Sequence, residues 1–433
     1  MPSPETDSPH DGTPDGTGAR RAALIMLDAV LRKGQTLDSA ASAARGLPPA
    51  DAAHASAIAG ETLRRLPDLD ELIDSATRQR LPDDSKARMV LRLALAQKIG
   101  LDTPDHAIVA TALPLVDGGP RRLVHGVLGT LLRRGLGPPE DPRLPPEVEQ
   151  RWAAAWGEPT VLASRAAIAR RPPLDLSFAT DEAAAAFPLG TTLAPRHRRL
   201  QPAEITSIPG FAEGQWWVQD LAAAIPAHMM LAVWLNVLDL CAAPGGKTMQ
   251  LAAAGHKVTA LDRSKSRLAR LTENLARTGL AAKTIVADAF DYHPAELFDA
   301  VLVDAPCSAT GTFRRHPEVL YRARPSVIAE LTDLQTRLIN HAATLIRPGG
   351  GLIYAVCSLE PEEGEAIVTS FLASHPGFTL LPPTPGELPD GVTSSPEGWV
   401  RILPGMLAEA GGLDGFFVAR LLAPSKRLVA PAK

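Results

Sequence analysis

Residues 234–248, WLNVLDLCAAPGGKT, decide the fold of the C-terminal half of the chain. A short apolar run ending at Leu240 leads into a turn with Gly245 and Gly246, a pattern typical of a buried strand followed by a helix. Further apolar runs, separated by helical patterns, occupy residues 257–262, 284–288, 298–306 and 351–358. Alternating strands and helices predict a doubly wound parallel sheet, and such sheets bind ligands at the carboxyl ends of their strands.

Length and composition set broad limits on the rest of the molecule. The chain has 433 residues, so two or three domains are expected, and its formal charge of -4 does not indicate a strongly basic nucleic-acid-binding body. The three cysteines exclude a disulfide scaffold and fit a reducing compartment. Residues 1–18 lack the apolar core of a signal peptide, and polar residues interrupt the long apolar stretch from Leu221. We therefore expect a cytoplasmic protein without a membrane span.

Changes of pattern divide the chain into segments. They are a disordered tail at 1–19, a helical domain at 20–135, a linker at 136–147, a small α+β element at 148–220 and the α/β domain at 221–424. In the helical domain, residues 121–135 (RRLVHGVLGTLLRRG) have apolar residues at helical spacing and arginines at both ends. This periodicity does not decide between a solvated helical bundle and a bundle whose arginines contact RNA phosphates.

Acidic residues follow the glycine turn at successive predicted strand ends. The GGKT string at 245–248 lacks the earlier glycine of a phosphate-binding P-loop, because Cys241 stands there, so an ATPase is not expected. Asp262 ends the second strand and Asp288 the third. Either aspartate alone would more often cap a helix. Together with the glycine turn, however, they predict a site for an adenosine-containing ligand.

The fourth and fifth predicted strands bring two cysteines to the same edge of the sheet. Asp304 and Cys307 follow the fourth strand, and Cys357 ends the fifth. A cysteine is more often a small buried apolar residue, and the spacing does not suit a metal site, so we predict no metal. A cysteine at a strand end beside an acid and nearby arginines is, however, placed to become a thiolate nucleophile.

Three motifs resemble those of the S-adenosylmethionine-dependent RNA cytosine-C5 methyltransferases. They are LDLCAAPGGKT (238–248), VDAPCSATGTFRRHP (303–317) and YAVCSLEPEEGEAIV (354–368). The helical region is similar to the NusB-like RNA-binding domain fused to one branch of that family, and GFAEGQWWVQD (210–220) also matches that branch. The chain thus resembles the Sun/RsmB (Fmu-type) methyltransferases of 16S ribosomal RNA. The resemblance implies an all-α NusB-like domain, a small α+β element and a Rossmann-like class I methyltransferase domain.

The resemblance also implies roles for individual residues. Cys357 is the expected nucleophile, Asp304 holds the base, Cys307 assists product release, and Lys247 supports the developing charge. The residues expected to bind S-adenosylmethionine are Cys241, Ala242, Ala243, Pro244, Gly245, Gly246, Lys247, Asp262, Asp288 and Asp304. The arginines expected to contact RNA are Arg121, Arg122, Arg198, Arg314 and Arg315. The substrate is expected to be a single-stranded or loop cytosine, because the base must leave its stack, and the protein is expected to be a monomer.

Two other functions stay open at this point. One is the same chemistry on transfer RNA or on another ribosomal cytosine. The other is a non-catalytic RNA-binding or assembly protein that keeps the second domain as a scaffold. Asp304, Cys307 and Cys357 together argue against a scaffold, because a scaffold needs no pair of thiols at strand ends.

Overall fold

The computed structural model of the protein describes residues 16–135 and 141–425. These residues form two compact units, of which the first contains His316–Arg322 in addition to the residues up to Glu149, and the second contains the remainder. Residues 1–15 of the expected tail and 136–140 of the expected linker lie outside the described residues. Helical structure begins at Thr17, three residues before the expected start of the helical domain.

The first unit is helical, as predicted. Its helices are α1 (Thr17–Leu31), α2 (Leu37–Ala40), α3 (Pro49–Arg64), α4 (Leu66–Ser75), α5 (Lys86–Gly100), α6 (Asp105–Ala112) and α7 (Gly118–Arg133). Helix α5 lies at its centre and is buried along almost its whole length. Ser85 begins α5 by accepting a hydrogen bond from the Arg88 N–H at 3.3 Å. The apolar face predicted for α7, including Val124 and Leu128, packs in the same core.

A short segment from the middle of the second domain's sequence packs in the helical unit. Tyr321 donates a hydrogen bond to the Leu63 carbonyl at 2.8 Å, and Arg322 donates one to the Gly34 carbonyl at 2.8 Å. The sequence pattern placed residues 316–322 in the α/β domain, because hydrophobic periodicity does not reveal which core a segment of seven residues joins.

The second unit begins within one helix, at residue 150, and continues with a second helix and a small sheet. The elements are α8 (Pro146–Trp156), α9 (Glu158–Ile168), β1 (Leu174–Phe178), α10 (Asp181–Ala186), β2 (His197–Leu200) and β3 (Trp216–Val218). The three strands are antiparallel in the order β2-β1-β3. A buried ion pair joins Asp175 of β1 to Arg199 of β2, with the Arg199 Nε 2.7 Å from Asp175 Oδ1. This is the small α+β element that the sequence predicts.

The large sheet of the second unit carries the predicted βαβ pattern. Its elements are α11 (Leu221–His228), β4 (Asn236–Leu240), α12 (Gly246–Ala253), β5 (Lys257–Asp262), α13 (Lys265–Thr278), β6 (Lys283–Val286), β7 (Phe298–Asp304), α15 (Pro325–Thr344), β8 (Ile346–Val356), α16 (Glu365–Ser374), β9 (Thr379–Leu380), β10 (Val400–Ile402) and β11 (Phe416–Leu422); α14 (Val319–Arg322) belongs to the helical unit. The strand order is β10-β11-β8-β7-β4-β5-β6, with β9 paired to β11. The carboxyl ends of β4, β5, β7 and β8 therefore meet at one edge.

The sheet is mixed rather than wholly parallel, which corrects the prediction of a parallel sheet. The five strands from β6 to β8 are parallel, whereas β9, β10 and β11 are antiparallel to their neighbours. A parallel strand needs a crossover, usually a helix, to return the chain to its starting edge. Between Ile402 and Phe416, all of which the structure describes, no α-helix supplies that crossover, so β11 runs antiparallel to β10 and β8.

Candidate active site at the carboxyl ends of the strands

The turn after β4 has a backbone that few residues other than glycine adopt. Cys241 leaves the strand with φ 60°, and Gly245 has φ 109°. A Cβ atom on Gly245 would lie 2.7 Å from the side chain of Leu271, so this position requires glycine. Helix α12 begins at Gly246, which places the unpaired N–H groups of its first turn directly after the strand end. The sequence predicted this turn.

The thiol of Cys241 is not suited to nucleophilic chemistry. Burial raises its pKa to about 12, and the nearby carboxylate of Asp304 acts in the same direction. The thiol therefore stays protonated at neutral pH. Cys241 contributes the shape of the turn rather than a reactive group.

Asp262 ties the end of β5 to the glycine turn. Its carboxylate, 1% exposed, accepts hydrogen bonds from the Ala243 N–H at 3.2 Å and the Ser264 N–H at 2.8 Å. The Arg267 guanidinium binds the same carboxylate at 2.6 Å. Because a carboxylate has about four acceptor sites, Asp262 retains room for a ligand hydroxyl group.

Asp288 caps the short helical turn that follows β6. Its Oδ1 accepts a hydrogen bond from the Phe290 N–H at 3.0 Å, and the residue is exposed. This is the capping role that an isolated aspartate at a strand end most often has. Its second carboxylate oxygen has no hydrogen-bond partner in the part of the chain that the structure describes.

A lysine and an aspartate form an ion pair between the ends of β4 and β7. The Lys247 Nζ lies 2.7 Å from Asp304 Oδ2 and 5.2 Å from the centre of the Phe416 ring. Burial alone would lower the pKa of Lys247, but the charge and the hydrogen bond of Asp304, together with Cys357 and Asp239, outweigh burial and raise it. Lys247 is therefore a buried, protonated cation near the Cys357 sulfur.

The two remaining cysteines lie side by side. The Sγ atoms of Cys307 and Cys357 are 3.6 Å apart, and both side chains are partly exposed. The hydrogen bond with Cys357 and burial raise the pKa of Cys307 well above its ordinary value. Cys307 is thus held as a neutral thiol beside a second sulfur.

Close backbone contacts hold the loop after β7 against the end of β8. The Gly311 N–H donates to the Cys357 carbonyl at 3.0 Å, and the Gly415 N–H donates to the Gly311 carbonyl at 2.9 Å. A Cβ atom on Gly311 would lie 1.9 Å from the Gly415 carbonyl oxygen. Only glycine fits there, and this contact fixes the backbone that carries Cys357.

Two residues near the site were not identified from the sequence. Phe416 begins β11 and lies against the Lys247 ammonium. Glu363 is fully buried and binds the residues that follow both cysteines. The DGFF string at 414–417 was a signal for Phe416, but the four acidic residues in EPEEGE at 360–365 gave no basis for choosing Glu363.

The five arginines expected to contact RNA differ in their surroundings. Arg121 and Arg122 are exposed in the first turns of α7 in the helical unit. Arg198 is half-buried, and its guanidinium donates to the carbonyls of Ala184 at 2.7 Å and Ala185 at 3.0 Å. Arg121 and Arg122 are therefore more exposed than Arg198, whose guanidinium is held by backbone carbonyls.

Arg314 and Arg315 do not form the RNA-contacting surface that the sequence predicted. Arg314 is 3% exposed, and its guanidinium binds Asp414 at 2.7 Å and Asp220 at 3.0 Å. Arg315 binds the same two carboxylates and keeps about a quarter of its side chain exposed. A basic sequence does not reveal partners that lie 94 to 100 residues away, so these arginines were taken for surface charges.

The described residues form neither a metal-binding cluster nor a membrane-spanning helix. Within residues 16–135 and 141–425, no group of three or more histidine, cysteine or acidic side chains is arranged to hold a metal ion. No helix in those same stretches is long and apolar enough to cross a membrane.

Similarity to solved structures defines the class of protein. The crystal structure of PH0851 superposes with a TM-score of 0.71 over 94% of this chain and 99% of that chain, at 24% sequence identity. A methyltransferase homolog protein from Pyrococcus horikoshii superposes with a TM-score of 0.52 over 68% of this chain and 98% of that chain, at 25% identity. The fold is that of a Rossmann-like methyltransferase with an additional N-terminal helical domain.

Family models identify both parts. Residues 233–422 match the family described as 16S rRNA methyltransferase RsmB/F, and residues 17–133 match the NusB family. Residues 233–422 are thus similar to the RsmB/F methyltransferases and residues 17–133 to the NusB family, as the motifs quoted from the sequence predicted.

Curated relatives agree with this assignment. The ribosomal RNA small subunit methyltransferase B of Pseudomonas syringae is 40% identical over 51% of this chain and 50% of its own length. The protein of the same name from Vibrio cholerae is 38% identical over 51% of this chain and 49% of its own length. The chain thus spans about half the length of the curated relatives it matches.

Proposed function

We propose that this protein transfers a methyl group from S-adenosylmethionine to C5 of a cytosine in 16S ribosomal RNA through a covalent bond between Cys357 and C6 of the base. One observation carries the proposal. The thiols of Cys307 and Cys357 lie 3.6 Å apart at neighbouring strand ends. A methyltransferase that methylates an oxygen or an amine needs no such pair of thiols.

The strand ends fit S-adenosylmethionine. The turn at 241–247 supplies backbone N–H groups, and the Asp262 carboxylate next to it can accept the ribose hydroxyls. Asp288, with one oxygen unpartnered, would meet the adenine, and Asp304 would complete the site beside Lys247. When bound, the cofactor supplies an electrophilic methyl group on a positively charged sulfur.

The first task of the chain's own residues is to make C5 nucleophilic. The Cys357 thiolate forms a bond to C6, and the electron pair of the C5–C6 bond moves into the ring, so that C5 becomes enamine-like. Lys247 favours the thiolate because its buried ammonium interacts with that sulfur. Asp304 has Oδ1 without a hydrogen-bond partner among the described residues, and this oxygen is suited to the N3/N4 edge of the base.

The second task is to release the product. After methylation, a water molecule takes the proton from C5, the C5–H electron pair forms the C5–C6 double bond, and the C6–Sγ bond breaks with its electron pair returning to Cys357 as a thiolate. Cys307, a neutral thiol 3.6 Å from Cys357, promotes this elimination. Cys357 and Cys307 therefore act in succession.

The RNA must present an unstacked cytosine. A base inside a duplex cannot reach a thiolate at a strand end, so the substrate is a single-stranded or loop segment. Arg121 and Arg122 of the NusB-family domain are the exposed arginines that we assign to its phosphates. We place the reaction in the cytoplasm and the active form as a monomer.

Two experiments test the proposal. Bisulfite sequencing of 16S ribosomal RNA from a deletion strain should lack one methylcytosine, and plasmid-borne wild type should restore it. Loss of a methylcytosine in transfer RNA or elsewhere in ribosomal RNA would show a different substrate. An unchanged map in both RNA classes would favour the non-catalytic function.

The second experiment assigns the cysteines. Incubated with RNA and S-adenosylmethionine, Cys307→Ala should accumulate a protein–RNA adduct that survives denaturing electrophoresis, whereas Cys357→Ala should form none. An adduct that requires Cys307 instead would reverse the two roles.

A further inference from the structure

Glu363 lies between the two cysteine-bearing loops. It follows β8 by a few residues, and its side chain is 0% exposed. Neither proposed chemical step uses it. A fully buried carboxylate is costly unless its acceptor sites are occupied, so its partners indicate its role.

The partners of Glu363 come from both loops. Oε1 accepts hydrogen bonds from the Ser308 N–H at 2.9 Å and from Gln335 Nε2 at 3.0 Å. Oε2 accepts from the hydroxyl groups of Ser308 and of Ser358, the latter at 2.5 Å. Ser308 directly follows Cys307, and Ser358 directly follows Cys357. One carboxylate thus connects the residues adjacent to both sulfurs.

The surroundings fix Glu363 itself. The Tyr354 hydroxyl donates to the Glu363 carbonyl at 2.7 Å. Gln335 also donates to the Pro306 carbonyl at 2.9 Å, which adds a second tie to the loop before Cys307. Four donors converge on a carboxylate that offers about four acceptor sites. Protein groups thus occupy the acceptor sites of the Glu363 carboxylate without a ligand, as expected of a carboxylate that holds other residues in place.

We propose that the Glu363 carboxylate is a positioning residue that holds Cys307 and Cys357 at their short separation by joining the serine after each cysteine. Its catalytic significance rests on the proposed function, in which both sulfurs act in succession on one base. Displacement of a reacting group by about 1 Å costs on the order of 100-fold in rate, so loosened loops should slow turnover without preventing RNA binding.

Glu363→Ala and Glu363→Gln separate positioning from folding. The groups that donate to Oε1 are N–H groups, which can only donate hydrogen bonds. The groups that donate to Oε2 are hydroxyl groups, which can rotate and accept a hydrogen bond instead. A glutamine with its oxygen in the Oε1 position therefore keeps most of the connections, and alanine keeps none. Glu387→Ala is the matched control, because Glu387 is largely buried and paired with Arg420 at 2.7 Å, without a contact to either loop.

The direct readout is the distance between the thiols in the full-length protein. Phenylarsine oxide reacts with two adjacent thiols to form two arsenic–sulfur bonds and one water, so its affinity depends on how closely the sulfurs are held. Wild type, Glu363→Gln and Glu387→Ala should bind it alike, and Glu363→Ala should bind at least roughly tenfold more weakly. Cys307→Ala and Cys357→Ala give the single-thiol background.

The catalytic readout uses the same variants. For Glu363→Ala we expect kcat for RNA methylation to fall on the order of 100-fold with little change in KM, and we expect Glu363→Gln to recover most of it. Arsenical binding by Glu363→Ala equal to that of wild type would overturn the positioning role, whatever the reaction. If wild type itself methylates no cytosine, the proposed function fails, while the arsenical comparison still decides the role of Glu363.

Discussion

Two groups of ion-paired charges in the second unit differ in how completely they are paired. In the arginine cluster, formed by Asp220, Arg314, Arg315 and Asp414, both arginines bind both carboxylates, and Arg314 also donates to the Gly411 carbonyl at 2.8 Å. At the strand ends, Lys247 binds only Oδ2 of Asp304. The cluster uses its hydrogen-bonding capacity within the protein, whereas the strand-end pair leaves an oxygen for another molecule.

This difference distinguishes structural from functional charges better than burial does. Arg314 and Lys247 are both at least nine-tenths buried. A buried ion must be hydrogen-bonded to offset its desolvation, and complete pairing achieves that in the absence of any ligand. When a charged group at a strand end is incompletely paired, a bound substrate can supply the missing hydrogen bonds. The arginines of the sequence motif 303–317 thus maintain the fold, and its aspartate remains available for chemistry.

The largest expected effect is on stability, from Arg314→Leu. Removing this guanidinium leaves two buried carboxylates, Asp220 and Asp414, with only Arg315 as a cation. We expect the free energy of unfolding of the second unit to fall by about 3–5 kcal/mol. Urea unfolding followed by tryptophan fluorescence measures it, since Trp152 packs against the neighbouring Phe313 with ring centres 5.3 Å apart.

Arg347→Leu is the control for that measurement. Arg347 is 52% exposed and pairs with Asp299 at 2.9 Å, so its removal should cost less than about 1 kcal/mol. If both substitutions cost the same, complete pairing in the arginine cluster has no special structural value.

Lys247→Met tests the other side of the comparison. This change keeps a long unbranched side chain but removes the ammonium that pairs with Asp304 and lies over Phe416, so kcat should fall by about 100- to 1000-fold. Lys257→Met, at the exposed start of β5, is the control. A Lys247→Met enzyme with the wild-type kcat would remove Lys247 from the mechanism.

The sequence predicted the elements that local patterns determine. The glycine turn at 245–246, the strand ends at Asp262 and Asp304, and the helical face of α7 each depend on residues within a few positions. The pairing of Arg314 with Asp414 and the contact of Gly311 with Gly415 depend on residues about 100 positions away. No periodicity encodes such contacts, which is why two structural arginines were expected to bind RNA and why Glu363 was not recognised.

Asp239 represents an intermediate case, a carboxylate that is fully buried and incompletely paired. Thr248 donates to its Oδ2 at 2.6 Å, while Oδ1 has no partner, and burial raises its pKa to about 7. Between the ordinary pKa of 3.8 and about 7, the folded protein therefore binds a proton that the unfolded chain has lost. The free energy of unfolding should fall as the pH rises through this range.

Asp239→Asn should remove this pH dependence, because an amide does not ionise. We expect the variant to be more stable than wild type by roughly 1–3 kcal/mol at pH 8, with a smaller or reversed difference at pH 4.5. Urea titrations of both proteins at several pH values measure the difference. A constant difference across the range would mean that Asp239 does not change its charge.

The smallest expected effect concerns the exposed arginines of the helical unit, which extend the comparison to charges that have no protein partner. Arg121 and Arg122 follow Gly118 at the start of α7, and no ion pair to either is found among the described residues. If they bind RNA phosphates, Arg121→Ser/Arg122→Ser should raise KM for RNA by a few fold at unchanged kcat. The dependence of log KM on log salt concentration should decrease in slope by about 0.7 for each lost contact with single-stranded RNA.

Arg32→Ser/Arg45→Ser removes the same charge from other exposed positions of the same unit, and Arg32 is already paired with Asp28 at 3.1 Å. Because this control changes the net charge equally, it distinguishes a local contact from the overall electrostatic attraction of RNA. An equal increase in KM and an equal change of slope in both double variants would mean that the helical unit attracts RNA through its overall charge. A change confined to Arg121 and Arg122 would instead locate the phosphate contacts at the start of α7, where a positive helix end adds to the attraction of the two guanidinium groups.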